Sequence, residues 1–295
     1  MRFVIAGASG FLGQAWTRFL RDHGHDVVRL VRRPASAADE SSWDPSDGKV
    51  DISVIESADV VANLAGTSLV HVPWTSGYER DFAASRLDTT RTLADAVARS
   101  ARRPVLIAQS GISGYGDCGS TIVTEETPTD GEGFMAEVTR RWEASTAAAR
   151  EAGARVAIMR TAPVIDRHGG ALRSMLLPFR LGLGGRIGDG SAYFPTITLA
   201  DWIGAATYLS LNDLEGVFNV TGPDTSTNAE FTEALGRALH RPAILRAPGW
   251  GLRLALGPPG AVMLESVRVE PERLLEAGYA FAHDHITTRV AAALQ

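Results

Sequence analysis

The chain begins MRFVIAGASGFLG at residues 1–13, and this stretch decides the fold. The apolar run from Phe3 to Ala6 predicts a strand that is buried on both faces of a parallel sheet. Gly7, Gly10 and Gly13 follow at three-residue intervals, and a helix is predicted over residues 14–20. A strand, a glycine turn and a helix in this order form a phosphate cradle, because the backbone can approach closely and the helix N-terminus offers free N–H groups. The alternative is an ordinary glycine-rich turn, which the position between a strand and a helix disfavours.

The composition excludes several classes of protein. The chain has 295 residues, of which 45% are hydrophobic and 21% charged, as in ordinary globular proteins with a substantial core. Its net charge is −5 with dispersed basic residues, so we expect no nucleic-acid partner. It has no apolar run of about 18 residues, so we expect no membrane span and no membrane partner. The single cysteine, Cys118, is interpreted as a loop thiol without a role, and the lack of room for a signal peptide before the first strand favours a cytoplasmic protein.

The end of the second predicted strand, residues 26–31, indicates which dinucleotide the cradle prefers. NAD-binding sites of this kind have an acidic residue there, whereas an arginine accommodates a 2′-phosphate. Here the strand runs into Val31, Arg32, Arg33 and Pro34 with no acidic residue beside it. This favours NADP(H), with Arg32 stacked on the adenine or paired with the phosphate. The alternative is a basic turn exposed to solvent.

Strands and helices alternate over the first half of the chain. The pattern predicts strands at 58–66, 104–108 and 155–160, and helices at 78–100 and 132–151. This alternation is typical of an α/β protein with a doubly wound parallel sheet, the Rossmann fold. The strand at 58–66 ends in small residues, which let a cofactor approach the backbone at the edge where such sheets bind ligands.

Glycines interrupt this pattern after Pro163 and indicate a smaller second lobe. A short helix is predicted at 172–181, a strand at 216–220, and helices at 199–211 and 228–239, the last capped by Asn228. We therefore expect a Rossmann domain at 1–163, with 197–222 returning to it. A substrate lobe is expected to comprise 164–196 and 223–295.

These features resemble the extended short-chain dehydrogenase/reductase superfamily, and within it an atypical, epimerase-like family that ends in a small domain of unknown function. The resemblance covers the whole chain and is carried by GASGFLG at 7–13, NLAG at 63–66, SRLDTTR at 85–91, LPFRLGLGG at 177–185 and NAEFT at 228–232. It implies NADP(H) as the cofactor and no particular substrate. Taken with the strand ends above, it implies a cofactor site made of Gly7, Ser9, Gly10, Phe11, Leu12, Gly13, Val31, Arg32, Leu64, Ala65, Gly66, Arg86, Ser110 and Arg160.

The usual catalytic pair of the superfamily is absent. Its members use a tyrosine as proton donor or acceptor, with a lysine four residues later whose charge lowers the pKa of that tyrosine. The pair would fall at Phe134 and Val138 or at Met135 and Thr139, and the lone lysine of the chain is Lys49. The resemblance to the atypical family implies this absence.

Ser110 and Tyr115 are the candidate catalytic residues. Ser110 follows the strand at 104–108 and matches the superfamily serine that polarises the substrate oxygen. Tyr115 offers a proton donor, but without a neighbouring cation its pKa should stay near about 10. The alternative is that its ring packs the loop. Glu137 is more typical of a solvated helix residue, so Arg160 is the better electrostatic candidate.

Two positions depart from the family pattern. Relatives have a tryptophan where Thr196 stands and a histidine where Thr198 stands, so the family does not predict the substrate. The seven histidines show no metal-ligand spacing, and no metal site is expected.

Two hypotheses of function remain. The one we favour is an NADP(H)-dependent, epimerase-like oxidoreductase acting on a small polar carbonyl or alcohol, with Ser110 polarising the oxygen and Tyr115 or water transferring the proton. The other is a non-catalytic NADP(H)-binding protein that senses redox state or binds another protein. The missing tyrosine–lysine pair favours the second hypothesis, whereas Ser110 and a full substrate lobe favour the first.

Overall fold

The structure of the chain, a computed structural model, describes residues 1–69, 71 and 73–295, without the side chains of 252, 253, 255 and 256. The elements of the first half are β1 (Arg2–Ala6), α1 (Phe11–Asp22), β2 (Asp26–Val31), β3 (Glu40–Ser42), α2 (Ile52–Glu56), β4 (Val60–Asn63), α3 (Ser76–Arg99), β5 (Val105–Gly111), β6 (Ile122–Val123), α4 (Phe134–Ala144), α5 (Ala147–Glu151), β7 (Val156–Thr161) and β8 (Val164–Asp166). Those of the second half are α6 (Gly170–Arg180), β9 (Gly185–Ile187), β10 (Ile197–Thr198), α7 (Leu199–Leu211), β11 (Gly216–Val220), α8 (Asn228–Ala238), β12 (Leu245–Ala247), α9 (Gly249–Leu256), α10 (Pro258–Val262), β13 (Arg268–Val269), α11 (Glu272–Glu276) and α12 (Ile286–Ala293).

The centre of the molecule is a seven-stranded sheet in the order β11-β7-β5-β4-β1-β2-β3. All of its neighbouring strands pair in parallel. Helices α1 and α7 cover one face through Trp16 and Trp202, and α2, α3 and α5 cover the other through Ile55, Leu93 and Ala149. Since both faces are covered, the apolar run of β1 is fully buried. The predicted doubly wound Rossmann fold is confirmed.

The second lobe has a core of its own. Helices α6, α8 and α12 pack together through Leu176, Phe231, Leu235 and Val290. Short parallel pairs, β8–β10, β9–β12 and β6–β13, connect distant parts of the chain. Strand β11 lies in the central sheet beside β7, and α7 packs on that sheet. The C-terminal segment therefore reaches the Rossmann domain through β13.

The long helix predicted at 132–151 is two helices. The Ser145 hydroxyl donates to the carbonyl of Arg141 at 2.9 Å, and that of Thr146 donates to the carbonyl of Glu143 at 2.7 Å. Hydroxyls that bond to the preceding turn compete with the helix backbone, and α4 ends at this point.

The predicted cap Asn228 is wrong by one residue. Helix α8 is capped by Thr227, which forms a capping box with Glu230. The Asn228 side chain instead accepts a hydrogen bond from the backbone N–H of Ile187 at 2.8 Å. It therefore joins α8 to β9, a tertiary contact that the local pattern does not show.

Candidate functional site

The glycine turn after β1 has the geometry of a phosphate cradle. Gly7 has a φ of +80°, and a Cβ on it would lie 2.5 Å from the carbonyl carbon of Leu64. A Cβ on Gly13 would lie 2.2 Å from the carbonyl oxygen of Gly7, so neither position accepts a side chain. Helix α1 begins after Gly10 without a side-chain cap, which leaves its first N–H groups for a ligand. An anionic pyrophosphate fits this arrangement.

The other predicted residues of the turn lie around this cradle. Ser9 is exposed, and its carbonyl accepts a hydrogen bond from the Gln14 side chain at 2.7 Å. Leu12 is half-buried against the core of α1 and α7. The Phe11 ring packs on Gly169, where an added Cβ would lie 2.2 Å from the ring. Phe11 thus connects the cradle to the second lobe.

The loop after β4 is held directly against the glycine turn. Asn63 is fully buried, and its amide donates to the hydroxyls of Thr89 and Thr90 at 3.1 and 2.8 Å. Its carbonyl accepts from the backbone N–H of Ala65 at 3.1 Å. These bonds hold the loop after β4 between the turn and α3.

Arg86 lies behind this loop with its charge unpaired. Its side chain on α3 is buried, and it forms no salt bridge with the described residues. The guanidinium donates to the carbonyls of Thr67 and Phe82, at 3.0 and 3.2 Å, and stacks on the Phe82 ring. Burial lowers the pKa of Arg86 to about 10. A buried cation without a carboxylate is costly, so this position is suited to an anionic ligand.

Arg32 lies at the end of β2 and is exposed. Its neighbour Arg33 makes a two-bonded pair with Glu40, at 2.7 and 2.8 Å, whereas Arg32 forms no salt bridge in the described part of the chain. Both arginines line a pocket of about 680 Å³ that also includes Trp43 and Lys49. Arg32 is therefore free to bind a phosphate, and Val31 beside it is half-buried.

Ser110 belongs to a buried polar network that spans three strands. It lies within β5 rather than past it, because β5 continues to pair with β7 as far as Gly111. The Ser110 hydroxyl donates to Oε1 of Glu143 at 2.9 Å. Arg160, on β7, binds both oxygens of that carboxylate at 2.8 Å. The Arg160 guanidinium is thus paired within the protein, and Glu143 is the residue that joins it to Ser110.

Tyr115 lies in the same network and is 2% exposed. Its hydroxyl accepts from Nη1 of Arg160 at 2.9 Å and has Oδ1 of Asn219 at 2.8 Å and the carbonyl of Thr124 at 3.0 Å as acceptors. Burial raises its pKa. Asn219 in turn donates its backbone N–H to Glu125 at 2.7 Å, and burial raises the pKa of that carboxyl. Tyr115 therefore connects β7 to β11.

On α4 the missing pair would fall at residues that face two sides, although Phe134 and Met135 both pack against the same apolar cluster. Phe134, Val138 and Trp142 pack towards Phe82 on α3. Thr139 faces the loop after β5, since a Cβ on Gly114 would lie 3.3 Å from its methyl group. Glu143, one turn later on the Thr139 side, reaches Ser110. Sequence reasoning missed Glu143, although the four-residue spacing after Thr139 was a usable signal.

The two positions that depart from the family pattern lie beside the C-terminal segment. Thr198 caps α7 and donates to Oδ2 of Asp201 at 2.8 Å. Nδ1 of His283 lies 3.0 Å from the same carboxylate oxygen and 3.3 Å from the Thr198 hydroxyl. An imidazole from the chain's end thus occupies the neighbourhood of Thr198. Thr196 is buried, and its hydroxyl has no hydrogen-bond partner among the described residues.

Neither a metal-binding cluster nor a membrane-spanning helix is found among the described residues. No group of three or more His, Cys, Asp or Glu side chains among them is arranged to hold a metal ion. None of their helices combines the length and the apolarity needed to cross a membrane. Glu137, the acid considered from sequence, pairs with Arg140 at 3.0 Å with more than half of its side chain exposed.

Comparisons with known proteins identify the family of this chain. The model of the "NAD dependent epimerase/dehydratase family" matches residues 3–180, and that of a "Domain of unknown function (DUF1731)" matches residues 247–293. An epimerase family protein of Mycobacterium tuberculosis is 37% identical over 96% of this chain and 94% of its own.

Two solved structures extend the likeness to the whole chain. The human epimerase family protein SDR39U1, crystallised with NADPH, superposes with a TM-score of 0.89 and 30% identity over 99% of both chains. A nucleoside-diphosphate sugar epimerase of Corynebacterium glutamicum superposes with a TM-score of 0.81 and 30% identity over 100% of this chain and 58% of its own. The resemblance inferred from the motifs is confirmed: this chain belongs to the NAD dependent epimerase/dehydratase family, with the domain of unknown function at its C-terminal end.

Proposed function

We propose that this chain binds NADP(H) at the carboxyl edge of its sheet and is an epimerase-like oxidoreductase acting on a small polar carbonyl or alcohol. The observation that carries the cofactor is the cradle of Gly7 and Gly13, which a Cβ would fill, together with the unpaired cations Arg32 and Arg86. The NADPH in the crystal structure of human SDR39U1 supports the choice of dinucleotide.

Different residues of the chain would bind different groups of this cofactor. The first N–H groups of α1 would bind the pyrophosphate, since the helix dipole and the unpaired donors both favour an anion. Arg32 would pair with the 2′-phosphate, and Arg86 would place a positive charge behind the Leu64–Gly66 loop. When bound, the nicotinamide supplies or accepts a hydride.

Ser110 is the residue we assign to the substrate oxygen. Its proton is directed at Glu143, at 2.9 Å, so its lone pairs are available to accept a hydrogen bond from a substrate hydroxyl. Glu143 is bound on both oxygens by Arg160, so its carboxylate is fixed and holds the Ser110 hydroxyl in one orientation. In this arrangement Glu143 and Arg160 are positioning residues for Ser110.

Tyr115 is a poor proton donor in this geometry. Its hydroxyl already has protein acceptors, it is buried, and its raised pKa opposes ionisation. Of the two proton carriers that the sequence suggested, Tyr115 and water, the contacts favour water. Tyr115 then has the packing role that was its alternative interpretation.

A titration with NADPH and NADH tests the cofactor assignment. Loss of a hydrogen bond to a charged group costs about 1.5–3 kcal/mol, so Arg32→Ala should weaken NADPH binding by about tenfold or more. NADH binding should not change, because NADH has no 2′-phosphate. Arg33→Ala is the matched control: its guanidinium is already paired with Glu40, so it should alter the NADPH/NADH ratio less. Equal affinity of the wild type for both dinucleotides would refute the phosphate assignment.

A panel of alcohols with NADP⁺ and of carbonyls with NADPH, followed by reduction or oxidation of the cofactor, tests catalysis; the alcohols are the substrates that can donate a hydrogen bond to Ser110. Ser110→Ala should abolish turnover, and Tyr115→Phe should retain it in the fraction of protein that is folded. Turnover that survives Ser110→Ala would remove Ser110 from the mechanism.

The second candidate is a non-catalytic NADP(H)-binding protein. The observation in its favour is that Ser110 and Tyr115 are each only 2% exposed and both hydroxyls donate within the protein, in a chain that lacks the tyrosine–lysine pair. Tight NADPH binding with no oxidation across the panel would favour this function over the enzyme.

A further inference from the structure

The exposed large apolar side chains are concentrated in two segments of the second lobe. Leu177 and Leu181, one turn apart on α6 and just beyond its end, are 66% and 64% exposed. Trp250 and Leu254, one turn apart on α9, are 74% and 83% exposed. We use the name "lobe surface" for these four residues together with Leu183, Ile244 and Leu245, which are also exposed.

A pair of short strands and a hydrogen bond join the two segments. Strand β9, which follows α6, pairs in parallel with β12, so that Gly185 lies opposite Leu245. The Arg241 side chain donates to the carbonyl of Arg180 at 2.9 Å and joins the end of α6 to the approach to β12. Helix α9 begins two residues after β12. The end of α6 and the start of α9 therefore both lie close to the β9–β12 pair.

The lobe surface lies in segments that are rich in arginine, bordered by Asp189, Glu233 and Glu265, with Arg237 paired to Glu233. Residues 167–188 and 234–264, which contain the lobe surface, carry eight arginines and no aspartate or glutamate. Because the net charge of the whole chain is −5, the remaining residues carry −13. Arg173, Arg180, Arg241 and Arg246 are exposed. Eight of the 29 basic residues of the chain thus lie in these two segments.

We propose that the lobe surface binds the anionic headgroup surface of a lipid bilayer, with Trp250 and Leu254 inserted between the lipids. A short helix with exposed tryptophan and leucine, flanked by arginines, has the composition of an interfacial anchor. The arginines supply attraction to anionic lipids, and the acidic remainder of the protein is repelled from the same membrane, which fixes the orientation. An exposed apolar patch of this extent is typical of an interaction site rather than of an ordinary monomer surface.

Self-association through the same surface is disfavoured by charge. A two-fold contact would place the arginines of one copy against those of the other. Binding at the membrane surface requires no membrane-spanning helix. The proposal replaces the expectation from sequence that the protein has no membrane partner. The proposal is independent of the reaction and of the cofactor.

Flotation of the whole chain with unilamellar vesicles tests whether the lobe surface binds anionic lipid. Vesicles of phosphatidylcholine alone are compared with vesicles that also contain phosphatidylglycerol. We expect the protein to float only with the anionic vesicles, and to be released by salt, since electrostatic attraction to the surface is screened.

Variants of the exposed residues separate the electrostatic contribution to vesicle binding from the apolar one. Each arginine near an anionic surface contributes about 1 kcal/mol, so Arg180→Gln with Arg246→Gln should weaken binding by about 25-fold. Trp250→Ala with Leu254→Ala should weaken it by more than about tenfold, because burial of one large apolar side chain is worth about 1.5–3 kcal/mol. Leu275→Ala and Arg91→Gln, at exposed positions outside these segments, are the matched controls and should bind as the wild type does. NADPH binding should be unchanged in all four variants, which shows that they are folded.

Three outcomes would overturn the proposal. They are failure to float with either vesicle, equal binding to neutral and anionic vesicles, and wild-type binding by both surface variants. A dimer in sedimentation that Trp250→Ala with Leu254→Ala converts to monomer, without vesicle binding, would assign the surface to a second copy of the chain instead.

Discussion

Ser110 and Arg160 are register partners on the adjacent parallel strands β5 and β7, and both side chains donate to Oε1 of Glu143, at 2.9 and 2.8 Å. Asn219 is the register partner of Arg160 on the next strand, β11. Tyr115 connects these two, since its hydroxyl accepts from Arg160 and lies 2.8 Å from Oδ1 of Asn219. Three neighbouring strands thus end in one connected polar network at the edge where parallel sheets bind ligands.

Removal of the Glu143 charge should destabilise the protein. In Glu143→Gln the Arg160 guanidinium, which is 8% exposed, loses its carboxylate partner. Breaking a buried ion pair on one side costs about 3–5 kcal/mol, because the remaining charge is left uncompensated. Urea denaturation followed by circular dichroism measures this loss.

Two further variants test whether the uncompensated charge of Arg160 causes this loss of stability. Glu137→Gln removes an exposed carboxylate from the same helix and should change the free energy of unfolding by less than about 1 kcal/mol. Glu143→Leu combined with Arg160→Met removes both charges and should cost less than Glu143→Gln alone. If the double variant were the less stable of the two, desolvation of an unpaired arginine would not be the cause.

The parts of this structure that were predictable from sequence are those that depend on local pattern. The strand–glycine–helix unit at the chain start was found, and α7 and β11 have the predicted bounds, because apolar periodicity and turn residues are local signals. The network was not predictable in the same way. Tyr115 and Asn219 are 104 residues apart, and only the order of the strands brings them together. The pairing of Arg160 with Glu143 depends on which face of α4 meets the sheet.

An added methyl group should destabilise the protein more at Gly13 than at Gly10. In Gly13→Ala the new Cβ would lie 2.2 Å from the backbone oxygen of Gly7, so the turn must shift, and we expect a loss of about 1–3 kcal/mol in stability as well as loss of NADPH binding. In Gly10→Ala the tightest approach is 3.3 Å, so the effect on stability should be smaller. Calorimetric titration with NADPH and thermal unfolding measure the two effects separately. Equal destabilisation by both changes would show that the backbone does not approach as described.

Acid should weaken the edge of the sheet at Asp39. Hydrogen bonds from Arg29 and Arg21 lower the pKa of Asp39 from 3.8 to about 2. A carboxyl whose pKa is lower in the folded state stabilises the fold above its unfolded pKa, and this contribution is lost as the pH falls through about 2. The free energy of unfolding of Asp39→Asn should therefore depend less steeply on pH than that of the wild type between about pH 4 and about pH 2. Parallel curves for the two proteins would contradict the linkage.

Arg86 should favour NADPH binding and add little to the stability of the folded protein. Its guanidinium is buried without a salt bridge in the described residues, and burial lowers its pKa to about 10. Arg86→Met keeps the length that packs on Phe82 and removes the desolvated charge, and the Phe82 carbonyl still accepts from the Ser85 hydroxyl, so the free energy of unfolding should stay within about 1 kcal/mol of wild type. Its affinity for NADPH should fall by about tenfold, the loss of one charge-assisted hydrogen bond.

Arg155→Met is the matched comparison for this last test. Arg155 is also largely buried, but it donates to the carbonyls of Leu209, Ser210 and Leu214, away from the glycine turn. Its removal leaves those buried acceptors unpaired and should lower stability without changing NADPH affinity. In the wild type, affinity for NADPH should also decline as the pH rises past about 10, because Arg86 loses its charge there. If Arg86→Met unfolded more easily and bound NADPH normally, the arginine would serve the packing of α3 rather than the ligand.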